Sequence, residues 1–211
     1  MASAVDIANI GLTHIGANAI VTSLTPPDGS PESGYCARFY PIARRAMLEA
    51  HAWHFAKTRS TLAEITNDSQ TWAYAYARPA DCLKPLRVLA LTVLNACEWH
   101  EPEDGSPFTE RDGAEYTCEG DVIRTNEPSA VLVYTRDVVD TTKFTPNFVA
   151  CLGMFLGGYV AGPIIKGLEG ARIGQNLRNA ALADAARAAA LDANSAQENN
   201  DFVPSGVRAR A

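Results

Sequence analysis

The chain has 211 residues, of which 47% are hydrophobic and 20% charged, with a formal net charge of -6. Such values exclude a disordered polymer, which could not offset the entropy of ordering, and argue against a free-standing nucleic-acid binder, which would present a basic face. They leave room for a protein that surrounds DNA without gripping it, because an acidic wall repels phosphate and lets a duplex slide.

The N-terminal part reads as helices. Ser3 with Asp6 three residues on is a capping pair, and Val5, Ala8, Leu12 and Ile15 recur at helical spacing until Gly16 and Asn18 stop the helix. No secretory signal is expected, since Asp6 falls early and no basic region precedes an apolar stretch. After the turn Thr25–Gly29, Ser30-Pro31-Glu32 starts a second helix with Tyr35, Phe39, Ile42, Ala46 and Trp53 expected on its buried face and a kink at Pro41. Arg44 and Arg45 read as part of its polar face.

Strand signals are expected from Trp72 to about Asp140. Trp72, Tyr74 and Tyr76 alternate and would put three rings on one side of an extended segment, as interface or structural aromatics. Pro79 and Asp81 break that segment, and Leu86–Leu94 then reads as a buried strand bounded by Pro85. Glu115–Cys118 and Asp121–Thr125, joined by Glu119-Gly120, read as a hairpin, and Val131–Tyr134 as a further strand. The stretch 98–113 reads as an exposed loop.

Helices return at Thr145, a cap followed by Pro146. Phe148–Ile165 carries no charge and holds G-x-x-x-G twice. Without a flanking basic cluster, a tryptophan belt or a second span, it reads as a tightly packed central helix rather than a membrane span. Pro163 and Gly167 are expected to end it. An alanine-rich helix over 169–194 follows, with Ile173, Leu177, Ala181 and Ala188 on one side. In the tail from residue 199, Phe202 and Val203 offer an apolar anchor and Arg208 and Arg210 two cations, a composition suited to folding onto a partner.

No catalytic constellation is evident. His51 and His54, near Glu49, lack the spacing and the third ligand of a metal site. The glycines at 167, 170 and 174 follow a helix rather than a strand, so no dinucleotide cofactor is implied. Cys36, Cys82, Cys97, Cys118 and Cys151 are odd in number and form no CxxC, and they read as buried free thiols of a reducing compartment. Glu101, Glu103, Asp104, Glu110 and Asp112 form the one acidic run. Paired carboxylates there would suit a cell-wall hydrolase, the alternative reading.

Three segments carry a resemblance. Trp72-Ala-Tyr-Ala-Tyr-Ala-Arg-Pro-Ala-Asp-Cys-Leu-Lys-Pro-Leu-Arg-Val-Leu89 resembles a signature of the tail tubular protein A family, the head-to-tail adaptor or gatekeeper proteins of short-tailed bacteriophages. Tyr134-Thr-Arg-Asp-Val-Val-Asp-Thr-Thr-Lys-Phe-Thr-Pro-Asn-Phe-Val-Ala-Cys-Leu152 is similar to that family's strand-to-helix passage. Ala8-Asn-Ile-Gly-Leu-Thr-His-Ile-Gly16 is a third match, in the same order along the chain. The resemblance implies a structural virion protein of the head–tail junction, made in the host cytoplasm. It would be monomeric when free and a dodecameric ring on the portal protein, with the tail nozzle protein below. DNA would pass through the channel without specific binding, and no enzyme activity, cofactor or membrane would be involved.

The expected fold is α+β and mainly helical, an antiparallel helix bundle from both chain ends with an inserted small β domain. The expected divisions are 1–71 and 144–198 for the bundle, 72–143 for the β domain, and 199–211 for a flexible tail.

Overall fold

The computed structural model describes residues 2–90 and 113–194. Its helices come from both ends of that span, with the strands between them. Helix α1 (Ala4–His14) starts in a reciprocal capping box: the Asp6 amide donates to Ser3 Oγ and the Ser3 amide to the Asp6 carboxylate. Helix α2 (Pro31–Ala50) is capped by Ser30 and continues through Pro41. Helix α3 (Pro146–Ile165) is capped by Thr145, and α4 (Gly167–Asn194) follows after Lys166 alone. Pro163 lies inside the last turn of α3 rather than beyond it.

Helix α3 is central. Gly153 and Gly157 lie under α1, where a Cβ on Gly157 would stand 2.7 Å from the Gly11 carbonyl oxygen. Gly158 lies under α4, where a Cβ would stand 2.8 Å from the Gly174 oxygen. Three of the four glycines in the two G-x-x-x-G spacings, Gly153, Gly157 and Gly158, thus serve crossings within the chain. Helices α2 and α4 both run antiparallel to α3, as the contacts Phe39–Tyr159, Trp53–Phe148 and Gly158–Gly174 require.

The inward row of α2 is Cys36, Tyr40, Ala43, Met47 and Leu48. The expected row is offset by one residue: Tyr35, Phe39 and Ala46 are half-buried and Ile42 is 50% exposed. Both rows are apolar, so periodicity could not choose between them; the position of α3 does.

Strands begin at Lys57, ahead of the expected change at Trp72. Strands β1 (Lys57–Thr61), β7 (Val131–Arg136) and β4 (Cys82–Leu89) form one antiparallel sheet in that order. Strands β2 (Ala63–Ile65), β3 (Tyr74–Ala77), β6 (Val122–Thr125) and β5 (Tyr116–Glu119) form a second. Leu132, Tyr134 and Val88 of the first sheet meet Tyr76 and Ile123 of the second in a common core. The β5–β6 hairpin turns at Gly120, whose φ of +60° suits a residue without a Cβ.

Two strand expectations are corrected. Trp72 precedes β3, so only Tyr74 and Tyr76 share the strand. Strand β4 begins at Cys82 and contains Pro85, which stands at a register shift on an edge strand and needs no ladder partner for a missing N–H. Residues 91–94 lie outside the described residues.

Candidate interaction surfaces

The bundle and the strands are joined through an aromatic knot. Phe148, in the first turn of α3, has the rings of Trp53, Phe55 and Phe144 around it at 5.1, 5.0 and 4.8 Å between centroids. The Trp53 indole N–H donates to the Met47 carbonyl, so the buried ring leaves no polar atom unpaired.

Beside this knot lies a polar one. Asp137, just after β7, accepts from Arg44 at 2.8 Å and from Arg45 at 2.9 Å. Arg44 is 6% exposed, so it is not on a polar face as expected; it is the inner half of a clamp between α2 and the sheet. The Asp137 amide donates to the Asp81 carbonyl, and Tyr134 Oη donates to the Asp81 carboxylate at 2.9 Å. Burial first, and then that bond, push the Tyr134 phenol up to about 12.

The three aromatics of the Trp72 segment separate in role. Tyr76 is 1% exposed and its hydroxyl donates to the Glu127 carbonyl, which makes it a core residue. Tyr74 lies against it, half-buried. Half-buried Trp72 has its carbonyl held by the Asn67 side chain.

His51 and His54 are not one helical turn apart, because α2 ends at Ala50 and His51 is extended. The His54 amide and ring Nδ1 both contact one carboxylate oxygen of Asp192 in the last turn of α4, at 2.8 and 3.0 Å. Burial depresses the His51 pKa, against the nearby Asp192 carboxylate and with help from Lys84. Among the described residues no three His, Cys, Asp or Glu side chains converge as metal ligands. Cys36, Cys82, Cys118 and Cys151 are free thiols; burial pushes Cys36 to about 11 and raises Cys82 and Cys151, the opposite of nucleophile activation.

Arg87 on β4 and Arg59 on β1 flank Val133 of the central strand on one face, and the Lys57 ammonium pKa is lowered by burial and then by these two guanidiniums. Arg78 instead binds the Cys82 and Leu83 carbonyls.

A groove opens where α3 begins and α4 ends. Asn147, Cys151 and Met154 face Asp184, Ala188 and Leu191 around a cavity of about 280 Å³. A second cavity of about 200 Å³ continues it to Trp53, Thr145 and Asp192. By length and composition α3 would be able to cross a membrane, but 61% of its apolar window is buried inside the molecule.

Phe202, Val203, Arg208 and Arg210 lie outside the described residues, as do Glu101, Glu103, Asp104, Glu110 and Asp112. In sequence, residues 91–112 hold six acidic side chains and one arginine, so the acidity of the chain belongs to that segment and the remainder is near neutral. No protein-family model matches the chain, and no curated protein matches it.

Sequence reasoning missed Asp137 and Asp192 as organising residues. Asp192 did carry a signal: an acid in the last turn of a helix opposes the macrodipole and calls for a compensating donor.

Proposed function

We propose that the chain is a structural virion protein, an adaptor ring that joins the portal to the tail nozzle and surrounds the DNA channel. The observation that supports it is spatial. The three segments that resemble the adaptor family pack onto one another although they are far apart in sequence. Gly11 of the segment that opens at Ala8 lies against Gly153, which directly follows the segment that ends at Leu152. Asp81 of the Trp72 segment bonds to Tyr134 and Asp137 of the segment that opens at Tyr134.

The function is mechanical and electrostatic. The aromatic knot and the Arg44–Asp137–Arg45 clamp fix the sheets on the bundle. A joint of that kind lets a ring hold the portal at one end and present a seat for the nozzle at the other. DNA passes through without specific binding, and the acidic segment 91–112 would discourage sticking if it faced the lumen.

The test is the particle mass, by native mass spectrometry or sedimentation, of the protein alone and mixed with its portal. The reading expects a small species alone and a closed ring on the portal. Failure to form any complex across a range of ionic strengths removes the adaptor role.

A further inference from the structure

We propose that the α3–α4 groove is the seat for the C-terminal segment of a neighbouring copy, with Phe202 in its apolar floor and Arg208 and Arg210 at its carboxylate rim. The proposal rests on the ring reading above, because it needs a second copy at close range.

The groove has the right chemistry for such a guest. Its floor is Ala188, Met154 and the buried Cys151, and its wall is Leu191, which is 63% exposed on a helix otherwise rich in alanine. Asp184 and Asp192 mark its two ends. Eight residues of helix separate them, about 12 Å at 1.5 Å per residue.

The guest is written in the 17 residues beyond Asn194, where Phe202 is the sole aromatic residue and Arg208 and Arg210 are the sole cations. Six extended residues from Phe202 to Arg208 span at most about 20 Å. A Phe202 ring beside Leu191 therefore leaves both guanidiniums within reach of Asp184. That carboxylate holds Arg187 through Oδ1 at 3.0 Å and can share a second guanidinium. Helix α4 points away from a groove that runs back from Asp192 to Asp184, so the same copy would have to reverse direction to fill it. A segment arriving from the next subunit would not.

The experiment uses the full chain with a photoreactive p-benzoylphenylalanine at position 202, as an equal mixture of ¹⁵N-labelled and unlabelled protein, free and on the portal. Expected are cross-links from position 202 to the peptides bearing Met154 and Leu191, joining labelled to unlabelled copies. Leu191→Asp, a change at an exposed position, should lower their yield about tenfold by placing a charge in an apolar contact. Links confined to one copy, links elsewhere, no links, or a yield indifferent to Leu191→Asp would each overturn the proposal. A portal complex formed without these links sinks the groove and spares the ring. Inter-copy links without portal binding support the groove and sink the adaptor reading.

Discussion

The phenol of Tyr134 in β7 and the carboxylate of Asp81, 53 positions earlier, form a 2.9 Å hydrogen bond at the seam between strands and helices. Tyr134 is 4% exposed, so the bond is made on the rim of the core, where water competes poorly. The bond belongs to the protonated phenol. Because burial and Asp81 raise the folded pKa from 10 to about 12, the contribution is complete below pH 10 and vanishes as pH climbs towards 12.

Tyr134→Phe should therefore cost about 1 kcal/mol at neutral pH. It should also lose part of the decline in stability on the alkaline side. Urea midpoints measured from pH 7 to 11 test this. An unchanged alkaline slope would show that the other tyrosines whose phenols burial raises, Tyr40, Tyr76 and the half-buried Tyr116, carry the effect.

Asp137 should be the most sensitive polar residue of the joint. Removing it in Asp137→Ala strands Arg44, which is 6% exposed, without its counter-charge. Breaking a buried pair from one side costs about 3–5 kcal/mol. Arg45→Ala removes the outer arm, whose side chain is 63% exposed, and should cost at most about 1 kcal/mol. Denaturant midpoints of the two variants decide; equal losses would mean the clamp is not asymmetric.

Much of the fold was legible because its signals are local. Ser3 with Asp6, Ser30 with Pro31 and Thr145 with Pro146 each start a helix by chemistry contained within a few residues. Gly120 likewise marked its hairpin. Strand β1, Lys-Thr-Arg-Ser-Thr, was not legible, since an edge strand of polar residues has no apolar alternation to read. The surfaces were less legible still. Asp81, Tyr134 and Asp137 stood inside the quoted segments, yet nothing local connects residues that meet only after the sheet forms.

His51 gives an acid-side counterpart to Tyr134. Its folded pKa is depressed below 6.5, chiefly by burial, so the unfolded chain takes up a proton before the folded one does. Stability from this site is complete above pH 6.5 and falls as pH drops below it. His51→Gln should remove part of the loss seen between about pH 6.5 and 5, above the range where ordinary carboxylates titrate. If the variant and the parent fall in parallel through that window, His51 is not the group responsible.

The glycines of α3 offer the sharpest contrast, because one helix contains both tight and open positions. A Cβ at Gly157 would lie 2.7 Å from the Gly11 carbonyl oxygen, and one at Gly158 would lie 2.8 Å from that of Gly174. Both obstacles are backbone, so relief requires α1 or α4 to move away from α3. Gly157→Ala and Gly158→Ala should each cost about 1–3 kcal/mol, with any gain in helix propensity outweighed by the crowding. Gly162, the last glycine of the second G-x-x-x-G, whose carbonyl accepts from the Lys166 amide, has nothing within 4 Å of its would-be Cβ. Gly162→Ala should therefore be neutral or stabilise the helix by up to about 1 kcal/mol. Thermal and urea unfolding of the three variants give the comparison directly. A Gly162 variant as damaged as Gly157 would mean that this face of α3 is covered in a way the helix contacts do not explain. A harmless Gly157 variant would mean that α1 does not pack on α3 at backbone distance.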